Sequence, residues 1–257
     1  MFLTFASSPK PQLSCSSNRS GCNFLAVKIS IAKPLFLRKV RRDYTRKWIT
    51  ARVRGYILNL RRRGNEDMIV TLLSPESLLT LYRFYGARHS ALHLGYKIDF
   101  IAENNPFFMP RLRQVAHLSF EWLFSLEKAR VWQRFCQLLY AHLRGAEECG
   151  EFYYDMLENA ARKLGAQNPK RTMIESAAAL LEHEGRLRSD MRCFVCRKEV
   201  KDGRVALLRG CFPAHAACVG AEGFNLPAVK RLFETKESLL FADQEIKKLW
   251  EIVETGL

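Results

Sequence analysis

Residues 54–89 read RGYILNLRRRGNEDMIVTLLSPESLLTLYRFYGARH, and the fold turns on this stretch. Tyr56, Leu58 and Leu60 alternate with Ile57, Asn59 and Arg61, the period of two that marks a strand. Gly64-Asn65 follows, and both residues tolerate positive φ, so a turn is expected there. Residues 68–73 form a second run, rich in large apolar and β-branched side chains. Ser74-Pro75-Glu76-Ser77 reads as the next turn, with proline presetting φ at a corner. A third run, 78–85, puts Arg83 and Tyr85 on one face and Tyr82 and Phe84 on the other. In a fourth run Leu92, Leu94, Tyr96, Ile98 and Phe100 alternate with His93, Gly95, Lys97, Asp99 and Ile101, and a weaker fifth spans 112–118. Five short strands with tight turns predict a small antiparallel β-barrel, an OB fold, although an SH3-like barrel has nearly the same pattern.

The arginines and tyrosines gathered in this unit suit a sheet surface that holds a polyanion. A polyanion whose units also stack on aromatic rings is single-stranded nucleic acid. Composition agrees. The 257-residue chain has 48% hydrophobic residues, enough for a substantial core, and a formal net charge of +15. No apolar run is long enough to span a bilayer, so no membrane partner is expected. Residues 1–53 hold eleven Lys or Arg against one acid, Asp43, a net +10, and residues 54–257 carry the remaining +5. Within 54–113 nine basic residues face five acidic ones, so most of that +5 lies on the barrel.

Residues 1–53 show no sustained period. Their Arg- and Ser-rich, acid-poor composition is compatible with a transit peptide or a basic nucleic-acid arm. The preferred reading is an extension from an over-long start site, poorly ordered, since Val53 directly precedes the first strand. A barrel domain is then expected over 54–123 and a helical domain over 124–257. In the latter, Trp132, Phe135, Cys136, Leu139 and Leu143 recur at helical spacing, as do Tyr153, Met156, Leu157, Ala160 and Leu164. Asn168-Pro169 is an N-cap followed by proline at the first helical position, opening a helix to about His183. A shorter helix is expected after Pro227, and Ile246, Leu249, Trp250 and Val253 mark the last.

Four of the eight cysteines fall within 26 residues: Cys193, Cys196, Cys211 and Cys218, with His215 among them. Cys193-x-x-Cys196 and His215-x-x-Cys218 each bring two donors to one tetrahedral ion. The expected ligands are Cys193, Cys196, His215 and Cys218, with Cys211 the rival for the third place, in a knuckle pair over 191–219. Four protein ligands close the site, so the bound Zn2+ is expected to be structural. The zinc-deaminase signature, H-x-E followed by P-C-x-x-C, is absent. Cys15 and Cys22 lie in the N-terminal segment, and Cys136 and Cys149 read as buried thiols.

Gly55-Tyr56-Ile57-Leu58, Ile69-Val70-Thr71-Leu72-Leu73-Ser74-Pro75 and Cys193 to Cys196 together resemble the bacterial recombination mediator family RecO. The resemblance runs from about Arg54 to the C-terminus. It departs at His215, where many zinc-bearing relatives have cysteine. It implies a non-enzymatic DNA-repair protein of the bacterial cytoplasm and nucleoid. Such a protein binds single- and double-stranded DNA, anneals complementary strands and helps load recombinase on gapped DNA, with RecR and the single-strand-binding protein tail as partners.

From the residues, the expected DNA contacts are Arg61, Arg62, Arg63, Arg83, Arg88, Lys97, Arg111 and Arg113, with Tyr85 as a stacking platform. Tyr82 is also a stacking candidate, though its alternation with Leu78 and Phe84 favours the core. The alternative function is an RNA-binding OB and zinc-ribbon protein associated with translation or ribosomes. An enzyme is not expected: there is no G-x-x-x-x-G-K-[ST], no G-x-G-x-x-G opening a helix and no acidic cluster of metal-binding spacing.

Overall fold

The computed structural model describes residues 49–257 apart from 65, 89, 90, 147, 148 and 202. The expected disorder of the N-terminal extension, Cys15 and Cys22, Asn65 of the first turn and Asp202 of the knuckle loop lie outside the described residues.

Five strands open the chain: β1 (Ile49–Arg63), β2 (Asp67–Leu73), β3 (Leu78–Arg83), β4 (Lys97–Asn105) and β5 (Phe108–Leu118). They close on themselves in the order β1-β2-β3-β5-β4. The sheet is mixed rather than wholly antiparallel, because β3 meets β5 in parallel at Tyr82 and Arg111. The first strand also starts earlier than its alternation suggests. Ile49 to Arg52 pair with Asn104 to Ile101, and a bulge between Ile57 and Asn59 lets one long strand serve both β4 and β2. Alternation is hidden in 49–55 because Arg52 and Arg54 fill the outward positions that a solvent-facing strand leaves polar.

The fourth strand begins at Lys97, five residues later than expected. Residues 91–96 are irregular, and Gly95 has φ +81°. Its amide still donates to the Ile57 carbonyl at 2.7 Å, and the Ile57 amide to the Tyr96 carbonyl at 2.9 Å, so the segment hugs the sheet without joining it as a regular strand. Ile57, Met68, Val70, Leu72, Leu81, Leu92, Ile98, Phe100, Ala102 and Leu112 fill the barrel interior.

A 3-10 turn at Glu121–Phe124 leads into α1 (Leu126–Leu143), α2 (Glu151–Lys163) and α3 (Pro169–His183). The expected cap of α3 is present: the Asn168 side chain accepts from the amides of Lys170 and Arg171. A small three-stranded sheet follows, of β6 (Arg204–Leu207), β7 (Pro213–Ala214) and β8 (Phe224–Asn225), ordered β7-β6-β8. The four-residue α4 (Ala216–Val219), then α5 (Leu226–Thr235) and α6 (Asp243–Glu254), complete the chain. Among the described residues no helix is long and apolar enough to cross a membrane.

Barrel and helices share one core. Tyr56, Leu58 and Leu73 leave the barrel's outer wall to pack with Trp122, Trp132, Phe135 and Leu139. Tyr56 is fully buried, meets Trp132 edge-on and donates its hydroxyl to Glu158 of α2 at 3.0 Å. Burial, reinforced by the Glu158 charge, pushes the Tyr56 hydroxyl well above its usual pKa, so it remains a donor. The Lys97 ammonium pairs with the same carboxylate. Burial alone would raise the Glu158 pKa, but hydrogen bonds from Lys97 and Tyr56 hold it below the usual range. Trp132 Nε1 donates to the Gly95 carbonyl at 2.7 Å.

That close approach requires glycine. A Cβ at position 95 would lie 2.7 Å from the Trp132 indole, on a backbone whose φ disfavours any side chain. Gly95→Ala should therefore cost about 2–4 kcal/mol of stability, read by denaturant unfolding.

Candidate nucleic-acid interface and metal centre

The barrel's register gathers the basic residues. Arg61 pairs with Ile69, Ile69 with Tyr82, and Tyr82 with Arg111, so these four side chains form one row across β1, β2, β3 and β5. All are exposed or half-buried, on the outward face. Arg61, Arg62 and Arg63 are exposed and have no acidic partner within ion-pair reach among the described residues. Arg111 lies over the Phe84 ring, 5.2 Å from its centroid. Arg113 is exposed and only loosely tied to Glu103, at 3.6 Å.

Past β3 the chain bends sharply. Tyr85 takes a left-handed φ of 51° and is 64% exposed. Asp67 holds this bend: its carboxylate accepts the Tyr82 hydroxyl at 2.5 Å and the Tyr85 amide at 2.9 Å. Those two hydrogen bonds, the Tyr82 one foremost, hold the Asp67 carboxyl below its ordinary range. Arg88 sits 5.9 Å from the Tyr85 ring centroid and pairs with Glu66 at 2.5 Å. Arg83, Phe84, Tyr85, Arg88, Leu112 and Arg113 line a cleft of about 460 Å³.

Two residues sit differently from the sequence reading. The parity of β3 is reversed: Tyr82 faces out, while Arg83 shares the inward face with buried Met68. Its guanidinium donates to the Leu112 carbonyl at 3.0 Å, and its buried Nε has no partner among the described residues. Burial pulls the Arg83 pKa down from its usual value. Arg83 is thus a plug at the barrel's end whose outer edge reaches the cleft. Lys97 is 16% exposed, pairs with Glu158 and lies over the rings of Tyr56 and Tyr154, so it belongs to the barrel–helix junction. Arg52 and Arg54, both exposed, join the cations of the barrel surface. They flank Asp99 on the outward face at 2.9 and 3.4 Å and add positive charge there. Their signal was positional: two arginines alternating with Val53 continue the strand period backwards.

Cys193, Cys196, His215 and Cys218 bring one donor atom each within 4.8 Å of one another, a group that could hold a metal ion. A tetrahedral site with metal–sulfur bonds of about 2.3 Å needs donor separations of roughly 3.7 Å. His215 Nδ1 lies 3.3 Å from Cys196 Sγ and 3.8 Å from Cys218 Sγ, which meets that need. The other ring nitrogen, Nε2, is 3.2 Å from the Glu199 carbonyl. Donation there places the proton on Nε2 and leaves Nδ1 free to ligate. Backbone amides point at the first thiol. Although burial would raise it, donation from Cys196, His215 and Val195 holds Cys193 at about 6. The turn that aims these amides puts Arg197 at φ 63°.

Cys211 lies outside this group. It is buried, and burial pushes its thiol up to about 12, the behaviour of an inert core residue. Of the two candidates for the third place, it is His215 that lies in the group.

Residues 53–123 match the family model described as RecO N terminal. The match covers the barrel and the turn that leaves it, and supports the family resemblance read from the sequence. The match ends before α1, so the helices and the metal cluster lie beyond it. No curated protein matches the chain.

Two outcomes follow from this geometry. Cys211→Ala should leave the metal content of the purified protein unchanged, whereas His215→Ala should reduce it sharply. Asp67→Asn should lower the melting temperature at neutral pH. Because the folded Asp67 pKa is depressed, that contribution is present above the ordinary carboxylate range and fades as pH falls through the lowered value, so variant and wild type should converge in acid.

Proposed function

We propose that the chain is a RecO-like recombination mediator in DNA repair. It binds single- and double-stranded DNA, anneals complementary strands and helps load recombinase on gapped DNA. The observation that carries this reading is a coincidence of place: the RecO N terminal match at 53–123 covers the strands whose outward row runs from Arg61 to Arg111. The strand order β1-β2-β3-β5-β4 suits an OB fold, whose sheet face and loops commonly hold oligonucleotides. On this reading 54–123 is the DNA-binding domain, extended by Ile49–Val53 through β1, and 124–257 is the helical domain.

Annealing needs two polyanions side by side. An arginine surface lowers their repulsion and releases counterions. Arg61, Arg62, Arg63, Arg111 and Arg113, with Arg52 and Arg54, are the phosphate contacts. Arg88 and Tyr85 bound the cleft where a base can stack. Arg83 positions that cleft from beneath, and Lys97 is structural. The protein acts by binding rather than by catalysis. RecR and the single-strand-binding protein tail are its partners, and the bacterial nucleoid its place of action. Zn2+ is the proposed metal. Three thiols and an imidazole favour it, and a filled ligand set makes it a staple for the β6–β8 module rather than a reaction centre.

Replacing Arg61, Arg62 and Arg63 together by alanine should weaken single-strand binding roughly tenfold at low salt. It should also cut the slope of log K against log salt by about 2. Thermal stability should barely change, because all three side chains are exposed. Unaltered DNA affinity and annealing in that variant would sink the assignment. A matched RNA strand in competition separates a DNA protein from an RNA-binding one.

A further inference from the structure

The β4–β5 connection is a two-residue turn, Pro106-Phe107, between the paired residues Asn105 and Phe108. The Phe107 amide donates to Asn105 Oδ1 at 2.9 Å, which stiffens the turn. On this short hairpin three consecutive apolar side chains stand in water: Phe107 is 80% exposed, Phe108 64% and Met109 45%. Neither phenylalanine ring packs against another aromatic among the described residues. Ile49, paired beside the tip at Asn104, is exposed as well. The barrel core is already filled within the strands and does not need this apolar end.

Charge indicates what covers it. Arg111 follows Phe108 by three residues on β5, about 10 Å along the strand, and Arg113 comes two residues later. A ligand reaching from these arginines to the tip must offer anionic groups at one end and flat apolar faces at the other. We propose that the hairpin tip stacks on unpaired nucleobases of a strand whose phosphates lie on Arg111 and Arg113. The proposal rests on the DNA-binding reading above and deepens it by naming the stacking residues. It also gives the protein a physical preference: in a duplex the base faces are covered, so only single-stranded or gapped DNA can use the tip.

The test compares Phe107→Ala/Phe108→Ala with the full-length wild type on two oligonucleotides of equal length, one bearing bases with a 2-aminopurine reporter, one abasic. The wild type should bind the base-bearing strand about tenfold more tightly and quench its fluorescence. The double variant should lose most of that preference and of the quenching, leaving only the part that Tyr85 supplies, while still binding the abasic strand as the wild type does. Phe107→Tyr/Phe108→Tyr, which keeps the rings, should stay within about twofold of wild type. If the alanine variant keeps both preference and quenching, the tip proposal fails while the DNA-binding reading stands. If the wild type binds neither strand at low salt, the DNA-binding reading fails first. Binding of the wild type to anionic phospholipid vesicles, lost in the alanine variant with strand preference retained, would assign the tip to a lipid surface and overturn the proposal.

Discussion

Glu158 of α2 accepts the Tyr56 hydroxyl from β1 and pairs with the Lys97 ammonium at the start of β4. Three elements distant in sequence meet at that carboxylate, against the rings of Trp132 and Tyr154. Little water reaches the pair, so its strength is greater than that of a surface ion pair. Breaking one side of such a partly buried contact ordinarily costs about 3–5 kcal/mol, toward the lower end where some solvent remains. The junction fixes where the barrel sits against the helices, and so which barrel face remains open.

That open face is the one with the arginines. β1 turns its Tyr56 end toward the helices and its Arg61–Arg63 end toward solvent, and the bulge between Ile57 and Asn59 separates the two roles. Across the sheet, Tyr82 and Arg111 continue the row, and Asp67 keeps the β3 exit bent so that Tyr85 stands out from the surface. Each cation is individually a modest contributor in water. Register puts Arg61 and Arg111 on one outward face, whereas Arg62 falls on the side of its pair partner Met68 at the barrel's end.

The metal module is built on a different principle. Its strands are two to four residues long, and their buried residues Val205, Leu207, Ala214 and Phe224 join the core formed by the helices. Cys193, Cys196, His215 and Cys218 form a group that could hold a metal ion, and in sites of this kind the ordering of the ligand loops is coupled to metal binding. The Glu199 carbonyl and the amides around Cys193 do the orienting, which is why a four-residue helix suffices to carry Cys218.

Local chemistry determined much of this molecule from sequence. The strands at 56–61 and 68–73, the Asn168-Pro169 cap, the helical stripes and the paired two-residue knuckles depend on neighbours within a few residues, and they appear where their pattern puts them, except that the bulge after Ile57 breaks the alternation and turns Leu60 to the barrel interior beside Ile57, away from the face of Tyr56 and Leu58. Pairing across the chain was decided only by the tertiary structure. The parallel closure of β3 on β5 makes the sheet mixed, and it sets the parity that turns Tyr82 out and Arg83 in. Burial against α2 converts Lys97 from a surface charge into a junction residue. Distance in space separates Cys211 from a cluster it resembles in spacing. In each case the side chain's own type is silent, because exposure and partner are properties of the packed whole, and a lysine or cysteine reads identically whether it faces water or a neighbouring helix.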